Sequence, residues 1–467
     1  MLYLFSMAIK PTILKGTRDF SSEEIFKRNY IKKILRSTFE IFGYEPIETP
    51  SFEKLETLTG QYGEEGDRLI FKILNSGEKV RKADINSLEK GNYEKFSRSI
   101  SEKALRFDLT VPFARYVSQN QNKISFPFKR YQIQPVWRAD RPQHGRFQEF
   151  FQCDADIIGN RSLWQEIEMV LLYDEVFRRL NIKGVKIRIN HRKILFSLSL
   201  LFNISDRFIE FTNILDKIDK IGVDAVIKEF KNKKFPKKAT DKIKSFIKFS
   251  GTTLEKLKFI EKIFKGSNQD RSGLDDISFV LNYISKTKLE SSTIDFEFSL
   301  ARGLNYYTGI IIEVSPPTEI KIGSIGGGGR YDDLTSKFGL KNISGIGISF
   351  GFERIYYVME SLKLFPKNIK KLTEVLFLNF GNELISNIHD EINKLRKNNI
   401  SCELYPSKDK LKKQLSYANK KGILFVIIIG PEEFKEKKFS IRNMISGDQF
   451  TFSIKDLQVK INEIVKG

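Results

Sequence analysis

The chain has 467 residues, of which 40% are hydrophobic, and this is enough for two or three domains with ordinary buried cores. No segment approaches ~18 uninterrupted apolar residues, so the sequence predicts no membrane-spanning helix. The formal net charge of +21 favours contact with nucleic acid, but abundant Lys and 40 Phe also fit an AT-biased genome, so we count the charge only as support.

The first predicted element is a long helix over residues 22–42. Ser21 is a suitable N-cap, and apolar side chains recur at helical spacing, at Ile25, Phe26, Ile31, Ile34, Leu35 and Phe39. An extended segment, residues 47–50, follows the helix and ends at Pro50. The predicted order is therefore a long helix, a strand and a proline.

The most informative segment, residues 128–156, is predicted to form two β-strands joined by a polar loop. The second strand sets aromatic side chains against polar ones, at Gln148, Gln152, Asp154 and Asp156. Arg138 and Arg146 lie on either side of the loop, so both guanidinium groups can converge on one anion. Because arginine makes paired bonds to phosphate oxygens and keeps its charge, the pattern favours a polyphosphate site over a hairpin whose arginines are merely solvated.

Three further regions follow along the chain. Residues 205–291 show helical spacing of apolar side chains, which predicts a helical insertion or a helical cover over the core. Residues 345–351 form a glycine-rich strand that runs into a helix, where Arg354 can meet phosphate. Beyond residue 372, strands alternate with helices, and the apolar run 423–429 predicts a parallel or mixed α/β sheet.

Cysteine and histidine are too few for several classes of site. Cys153 and Cys402 are far apart and show no CxxC spacing, so neither a zinc site nor a disulfide framework is expected, and no metal ligands are assigned. This usage favours a reducing cytoplasm. The 3 His residues lie in a loop and in different predicted domains, which argues against a hydrolase built on histidine.

Three of these segments resemble the motifs of class II aminoacyl-tRNA synthetases. The first helix and residues 47–50 resemble motif 1, which forms the dimer interface in that class, and the hairpin resembles motif 2. The strand that leads to Arg354 resembles motif 3. Because all three occur in the correct order, the resemblance implies an α+β fold, with an antiparallel sheet flanked by helices, a helical insertion and a C-terminal α/β anticodon-binding domain.

Four peptides narrow the resemblance to histidyl-tRNA synthetases, namely residues 15–20, 105–116, 301–309 and 325–334. The resemblance implies that the chain attaches L-histidine to tRNA(His) through a histidyl-adenylate, with ATP as substrate and Mg²⁺ bound to the ATP. It further implies a homodimer with no membrane partner. The expected domains are a catalytic core at residues 10–204 and 292–363, an insertion at 205–291 and an anticodon-binding domain at 372–467.

The resemblance also assigns histidine-binding residues. Asp108, Thr110 and Gln152 match positions that hold the α-ammonium group. Neutral imidazole has one donor and one acceptor nitrogen, so a selective pocket needs partners of both kinds. Asp156 and the Tyr307 hydroxyl can serve as these partners, and Tyr306 can pack against the ring. Such a site leaves buried polar groups unpaired when a wrong side chain enters, which can discriminate by roughly 10⁴–10⁵.

The remaining assigned residues concern ATP and tRNA. By resemblance, Arg138 and Asp140 hold the α-phosphate and the adenine, Arg146 contributes to the ATP site and Arg354 holds the γ-phosphate. Arg302 and Arg138 are the expected catalytic residues, and Arg302 would stabilise charge at the α-phosphate. In the resembling bacterial enzymes the residue that matches Gln143 contacts the extra 5′ guanosine of histidine tRNA, although Gln143 could instead only shape its turn.

Three alternatives remain open from the sequence. The first is an inactive paralogue that regulates an ATP phosphoribosyltransferase, and the second is an RNA-binding or signalling protein with a synthetase-like domain. Both predict decay of the phosphate-binding residues, yet Arg138, Asp140, Arg302 and Arg354 are all present. The third is a class II synthetase for glycine, proline or threonine, against which the peptide at 301–309 argues.

Overall fold

The computed structural model describes residues 10–143, 145–301, 306–366, 369 and 373–466. The chain divides into two compact units, and the division falls between Phe365 and Pro366. Within the described residues, no helix combines the length and the apolar character needed to cross a membrane. The first unit contains every segment with a predicted synthetase motif, and the second is a separate α/β unit.

The described strands, numbered in chain order, are β1 Glu45–Pro46, β2 Phe52–Lys54, β3 Lys72–Ile73, β4 Lys103–Leu105, β5 Phe128–Trp137, β6 Glu149–Ile158, β7 Val185–His191, β8 Ser292–Phe296, β9 Ile310–Ser315, β10 Gly326–Tyr331, β11 Gly345–Gly351, β12 Val375–Phe377, β13 Cys402–Leu404, β14 Phe425–Ile428, β15 Lys438–Asn443 and β16 Gln449–Ser453.

The described α-helices are α1 Ser22–Ile41, α2 Leu55–Leu58, α3 Gly63–Arg68, α4 Ile85–Glu89, α5 Tyr93–Ser99, α6 Thr110–Gln119, α7 Trp164–Arg179, α8 Arg192–Leu201, α9 Phe208–Leu215, α10 Ile218–Ile221, α11 Val223–Asn232, α12 Lys237–Ile247, α13 Thr253–Phe264, α14 Ser272–Ile284, α15 Phe352–Ser361, α16 Asn382–Lys397, α17 Leu411–Lys421, α18 Pro431–Lys435 and α19 Leu457–Lys466. Short 3₁₀ turns lie at Gly77–Lys82, Ser205–Arg207, Leu334–Phe338 and Ile454–Asp456.

The first unit is built on an eight-stranded sheet with the order β1-β5-β6-β11-β10-β9-β7-β8. The six inner strands, β5-β6-β11-β10-β9-β7, pair with one another in antiparallel fashion. Only the outer strands β1 and β8 pair in parallel, with β5 and β7 respectively. Helices α1 and α7 pack on one face. The predicted α+β class with an antiparallel sheet flanked by helices is therefore confirmed.

The first helix begins where the sequence predicts. The Ser21 hydroxyl accepts from the Glu24 N–H at 3.3 Å, and the Glu24 carboxylate accepts from the Ser21 N–H at 2.8 Å, which forms a capping box. The Phe39 ring then lies 5.3 Å from Tyr131 of β5 and 5.7 Å from Phe350 of β11. The helix is therefore fixed by a cap at its start and by aromatic packing near its end.

The strand before Pro50 differs from the expectation. The paired residues are Glu45 and Pro46 rather than 47–50. The Ile47 N–H still donates to the Tyr131 carbonyl at 3.1 Å, but the Thr49 N–H donates to the Gln134 side chain and its carbonyl accepts from Arg106. Side chains thus replace the strand partner after two residues, which the apolar pattern alone could not predict.

The helices of residues 205–291 pack around buried phenylalanines of the first unit. The Phe246 ring on α12 lies 4.6 Å from Phe298, which follows β8, and the Phe211 ring on α9 lies 6.0 Å from Phe230 on α11. The buried Lys256 of α13 forms ion pairs with Asp295 and Glu297 at 3.0 and 3.2 Å. The helical character predicted for this region is present.

The second unit has a five-stranded mixed sheet with the order β13-β12-β14-β15-β16. Strand β12 pairs in parallel with both β13 and β14, whereas β15 and β16 form an antiparallel hairpin that turns at Gly447. Helices α16 and α19 contribute to one apolar cluster and α17 to another. The predicted parallel or mixed sheet is confirmed in its mixed form.

Candidate active site

A cavity of about 400 Å³ lies against one face of the large sheet in the first unit. Its lining comes from β6, β10 and β11, from the loop between β5 and β6, and from the starts of α6 and α15. Most of the predicted site residues line it, namely Asp108, Thr110, Arg138, Asp140, Arg146, Gln152, Asp156, Tyr306, Tyr307 and Arg354. Residues distant in the chain therefore meet at one place.

Three arginines bring positive charge to this cavity. Arg138 follows β5, where its Nε donates to the Phe107 carbonyl at 3.1 Å and its guanidinium lies 4.3 Å from the centre of the Phe107 ring. Arg354 lies in the first turn of α15, and its Nη1 donates to the Ser324 carbonyl at 2.7 Å. Arg146 completes the set from the β5–β6 loop. Fixed cations at the walls suit a ligand with several phosphates.

Asp108 brings a buried carboxyl group to the start of α6. Its Oδ1 accepts from the Tyr62 hydroxyl at 2.9 Å and from the Val111 N–H at 3.1 Å, whereas its Oδ2 has no hydrogen-bond partner among the described residues. Burial raises the pKa of Asp108, and the Val111 N–H opposes this shift. One oxygen is therefore held in place while the other remains available to a ligand.

Asp156 is held from two sides at the floor of the cavity. Its Oδ1 accepts from the Tyr331 hydroxyl at 2.6 Å, and its Oδ2 lies 2.8 Å from Nη2 of the buried Arg130. That second contact is an ion pair without hydrogen-bond alignment. Burial raises the pKa of Asp156, and Arg130 and Tyr331 oppose the rise.

Two adjacent tyrosines form an aromatic wall. The rings of Tyr306 and Tyr307 lie 4.8 Å apart in an edge-on arrangement, and Tyr306 also meets Tyr331 edge-on at 6.2 Å. Burial raises the pKa of both phenols, which are therefore neutral and can donate a hydrogen bond at neutral pH. Such a wall suits a flat, polar ring.

Glycines leave room for a ligand at the floor. A Cβ at Gly347 would lie 1.9 Å from Asp156 Oδ1, and a Cβ at Gly329 would lie 2.9 Å from Cδ1 of Tyr307. On the opposite side of β10, a Cβ at Gly328 would lie 2.2 Å from the Gly347 carbonyl. Any side chain at these positions would displace the groups that line the cavity or the neighbouring strand.

Comparison with known proteins agrees with this geometry. A family model described as histidyl-tRNA synthetase matches residues 97–355, and one described as an anticodon-binding domain matches residues 374–464. The chain is 54% identical to a histidine–tRNA ligase of Christiangramia forsetii, with 95% of the chain and 97% of that protein covered. It is 50% identical to the same enzyme of Flavobacterium johnsoniae, with 97% and 99% covered.

The chain belongs to the histidyl-tRNA synthetase family. A crystal structure of histidyl-tRNA synthetase from Nostoc superposes with a TM-score of 0.76 at 29% identity and covers 98% of this chain and 100% of that one. A Bacillus halodurans structure described as an ATP phosphoribosyltransferase regulatory subunit/histidyl-tRNA synthetase has a TM-score of 0.66 at 19% identity over 87% of this chain and 97% of its own, so it supports the fold alone.

Arg302, a predicted site residue of this synthetase, lies outside the described residues, and Gln143 is the other predicted site residue that does not belong to the described lining. Gln143 is exposed at the tip of the β5–β6 loop, where its N–H donates to the Arg146 carbonyl at 3.2 Å and its carbonyl accepts from the Arg146 N–H at 2.8 Å. The backbone of Gln143 thus closes the turn, and its side chain is free of that task.

The synthetase motifs are joined by a buried ion-pair cluster that the sequence did not predict. Both Glu353 oxygens accept from Arg28 of α1, at 2.7 and 2.8 Å, and Oε2 also accepts from Arg18 at 2.5 Å. Burial opposes ionisation, but the two arginines hold the pKa of Glu353 below its usual range. Since Glu353 precedes Arg354, the cluster fixes the start of α15 beside the cavity.

Several further residues around the synthetase cavity were also missed as site residues. Asp154 lines the cavity. Arg130 and Tyr331 contact the carboxylate of Asp156, and Tyr62 donates to the carboxylate of Asp108. The alternation of β6 was a usable signal for Asp154, because residues two apart share a face. The supporting residues gave no such signal, because their contacts depend on pairing between distant segments.

Proposed function

We propose that the described cavity is where the chain activates L-histidine with ATP, before the histidyl group passes to tRNA(His). The reaction is ATP-dependent and releases AMP and diphosphate, as expected for a histidine–tRNA ligase. The observation that carries the assignment is that one cavity gathers three arginines together with buried carboxyl groups and a tyrosine wall. Phosphate and a polar aromatic amino acid need opposite kinds of partner, and both are present.

In the first step the histidine carboxylate attacks the α-phosphorus of ATP and diphosphate leaves, which yields histidyl-adenylate. A tRNA 3′-terminal hydroxyl then attacks the acyl carbon, AMP leaves and the hydroxyl proton is lost. No protein side chain has to form a covalent bond in either step. Catalysis therefore rests on positioning the reactants and on stabilising the charge that develops on phosphate.

For histidine, we assign the α-ammonium group to Asp108, Thr110 and Gln152. The unpartnered Oδ2 of Asp108 and Oε1 of Gln152 support this assignment, because both are buried acceptors at the cavity. Asp156 and Tyr307 belong to the imidazole side, and the Tyr306 ring packs against the same space. Buried polar groups of this kind reject amino acids that cannot pair with them.

For ATP, we assign Arg138, Asp140 and Arg146 to the α-phosphate and adenine side and Arg354 to the γ-phosphate. Arg302 and Arg138 are the proposed catalytic residues, since each would offset charge at the α-phosphate. Mg²⁺ would enter with ATP, because it commonly keeps its waters and binds through phosphates and one or two carboxylates. In the described residues no group of three or more His, Cys, Asp or Glu side chains is placed to hold a metal.

For tRNA, we assign residues 372–467 to the anticodon, residues 205–291 to the region near the acceptor arm and Gln143 to the first base pair. The catalytic core then comprises residues 10–204 and 292–363.

We further propose a cytoplasmic homodimer that uses α1 and the segment around Pro50, because an isologous interface is the usual solution for a twofold oligomer. Light scattering on the active protein at micromolar concentration tests the dimer, which a monomeric mass would exclude.

Diphosphate exchange into ATP, measured with each amino acid in turn, tests the function. We expect exchange only with histidine, and glycine, proline and threonine are the most informative comparisons because other class II synthetases use them. Adding histidine tRNA should then yield charged tRNA. Exchange with another amino acid, or no exchange with histidine, would contradict the proposal.

A further inference from the structure

Residues 16–18 form a short segment before α1 that contacts the ATP side of the cavity from outside. They do not belong to the described lining of the cavity. Their contacts nevertheless reach sequence neighbours or backbone partners of the four described residues assigned to ATP, namely Arg138, Asp140, Arg146 and Arg354. The segment is therefore in a position to orient the ATP-binding residues without touching ATP.

The first contact is between Gly16 and Gln148. The Gly16 carbonyl accepts from the Gln148 N–H at 2.8 Å. The Gln148 carbonyl in turn accepts from the Arg138 N–H at 2.9 Å, and the Gln148 Nε2 donates to the Asp140 carbonyl at 3.2 Å. Gly16 has a φ of +90°, and a Cβ there would lie 2.7 Å from Cγ of Gln148, so this close approach requires glycine. The segment thus holds the residue that binds the backbone of Arg138 and Asp140.

The second contact is made by the guanidinium group of Arg18, which bridges two parts of the cavity wall. Its Cζ lies 3.4 Å from the centre of the Phe147 ring, and its Nη2 donates to Glu353 Oε2 at 2.5 Å. Phe147 follows Arg146 in the β5–β6 loop, and Glu353 precedes Arg354 in α15. One side chain therefore links the loop that carries Arg146 to the helix that carries Arg354.

Arg18 differs from Arg28, which also binds Glu353. Arg28 donates to both Glu353 oxygens, at 2.7 and 2.8 Å, and its guanidinium lies 4.6 Å from the ring of Phe352 on the same helix. Glu353 therefore keeps a charged partner if Arg18 is lost. Since the Arg18 side chain is also 32% exposed, its removal should cost little stability, whereas the link to Phe147 would be broken.

We propose that Arg18 is a positioning residue for ATP, which fixes Arg146 relative to Arg354 by holding Phe147 and Glu353 on one guanidinium group. The inference rests on the proposed function, in which these two arginines bind ATP. Guanidinium suits the task because it is planar and can stack on a ring while its N–H groups bind a carboxylate. A displacement of about 1 Å in such residues can cost about 100-fold in rate.

Diphosphate exchange, with ATP and histidine varied in turn, gives the KM of each substrate. For Arg18→Met we expect kcat/KM for ATP to fall by about 10–100-fold, mainly through a higher KM, with KM for histidine unchanged. Arg18→Lys keeps the charge but not the planar stack, so it should lie between the wild type and the Met variant. The urea midpoints of both variants should stay close to that of the wild type.

A double variant tests whether the contact with Phe147 carries the effect. Phe147→Leu removes the ring but keeps an apolar side chain. Because either change breaks the same contact, the loss in kcat/KM for Arg18→Met combined with Phe147→Leu should be smaller than the product of the two single losses. Losses that multiply in full would show that the two side chains act separately and would contradict the proposal.

Arg179 on α7 provides a matched control. Its Nε lies 2.5 Å from Glu175 Oε1, and its side chain is 28% exposed, so both values are close to those of Arg18. It does not belong to the described lining of the cavity. Arg179→Met should therefore leave both KM values unchanged.

Three results would overturn the proposal. A lower kcat with unchanged KM for ATP would mean that less of the protein is active, which is a structural role. Higher KM values for both substrates would mean that the whole cavity is disturbed. Arg18 variants that match the wild type would show that residues 16–18 only cover the surface. If Arg18→Met does not fold, Arg18→Lys decides by the same criteria.

The wild type separates this inference from the proposed function. If the wild type supports no exchange with histidine, the proposed function fails. If it supports exchange and both Arg18 variants behave like the Arg179 variant, only the role of Arg18 fails.

Discussion

The two faces of the central sheet differ in polarity because alternate residues of the same strands point to opposite sides. On one face, Tyr131, Cys153 and Phe350 pack under α1 and α7 in the main apolar core. On the other face, Arg130 and Asp154 are equally buried, but Asp154 lines the cavity, Arg130 forms an ion pair with Asp156, and both residues have polar atoms without a hydrogen-bond partner among the described residues. The side chains of the apolar face have their packing partners within the chain, whereas the polar atoms of the other face need a ligand to pair with. Changes on the first face should therefore affect stability, and changes on the second should affect binding and rate.

The largest expected effect is on the apolar face. Phe39→Ala removes a fully buried ring that packs on Tyr131 and Phe350, so the free energy of unfolding should fall by about 3–5 kcal/mol. Urea unfolding measures the change, and Phe39→Leu should lose less because it fills more of the space. The Kd for histidine, measured where the protein is still folded, should not change. A shifted Kd would show that the two faces are coupled.

The next largest effect is an increase in the free energy of unfolding when a buried carboxyl group of the polar face is replaced. The folded pKa of Asp154 is about 7 against an ordinary 3.8, so the folded chain keeps a proton that the unfolded chain releases. Stability from this group is therefore complete below about pH 4 and is lost as the pH rises to about 7. Asp154→Asn should raise the free energy of unfolding at pH 8 by up to about 4 kcal/mol, at about 1.4 kcal/mol per pKa unit.

The same variant should behave like the wild type at pH 3.5, where both states carry the proton. Urea unfolding at the two pH values gives the comparison. Equal stability of variant and wild type at pH 8 would mean that Asp154 is not strained by its burial, and the contrast between the faces would be weaker than described.

The next effect is on the rate of the reaction, and it should leave the stability of the protein unchanged. Arg138→Ala should lower histidine-dependent diphosphate exchange by about 10²-fold or more, because one fixed donor to developing charge is typically worth this much. The urea midpoint should change little, since among the described residues the side chain makes a single hydrogen bond, to the Phe107 carbonyl. Arg141, exposed in the same loop, provides the control, and its Ala variant should retain full exchange. A comparable loss in both variants would point to the loop as a whole.

The smallest effect is expected at the edge of the polar face. Gln143→Ala should slow aminoacyl transfer to tRNA by about tenfold, roughly the net worth of one hydrogen bond to a base, and leave diphosphate exchange unaffected. Single-turnover transfer from preformed adenylate measures it. The loss should shrink with a tRNA that lacks the extra 5′ guanosine. Equal losses on both tRNAs would mean that Gln143 only shapes the turn.

The sequence predicted most of what depends on short-range pattern. The hairpin was expected over residues 128–156, and the structure has Phe128–Trp137 and Glu149–Ile158. Alternation of polar and apolar residues sufficed to define these strands and the cavity face. Arg354 was placed at the start of a helix, as observed in α15. The family and the α+β class followed from these segments.

What the sequence did not predict depends on pairing at long range. Arg106 is completely buried, and its side chain donates to the carbonyls of Thr49 and Pro50 in place of a strand partner. Nothing in the local spacing distinguishes it from a surface arginine. In the same way, nothing near Asp156 in the sequence predicts that its Oδ1 accepts from the hydroxyl of Tyr331, a residue 175 positions away. Such contacts depend on which distant segments pair in the folded sheet.

The glycines of β10 and β11 have a consequence for how this chain can vary. At Gly326, Gly328, Gly329, Gly345 and Gly347 even a methyl group would come within 3.0 Å of a neighbouring heavy atom. These sites are therefore closed to conservative and radical replacements alike, unlike the charged surface, which accepts many side chains. In a library that samples every residue at every position, we therefore expect folded variants to keep glycine at these five positions of β10 and β11.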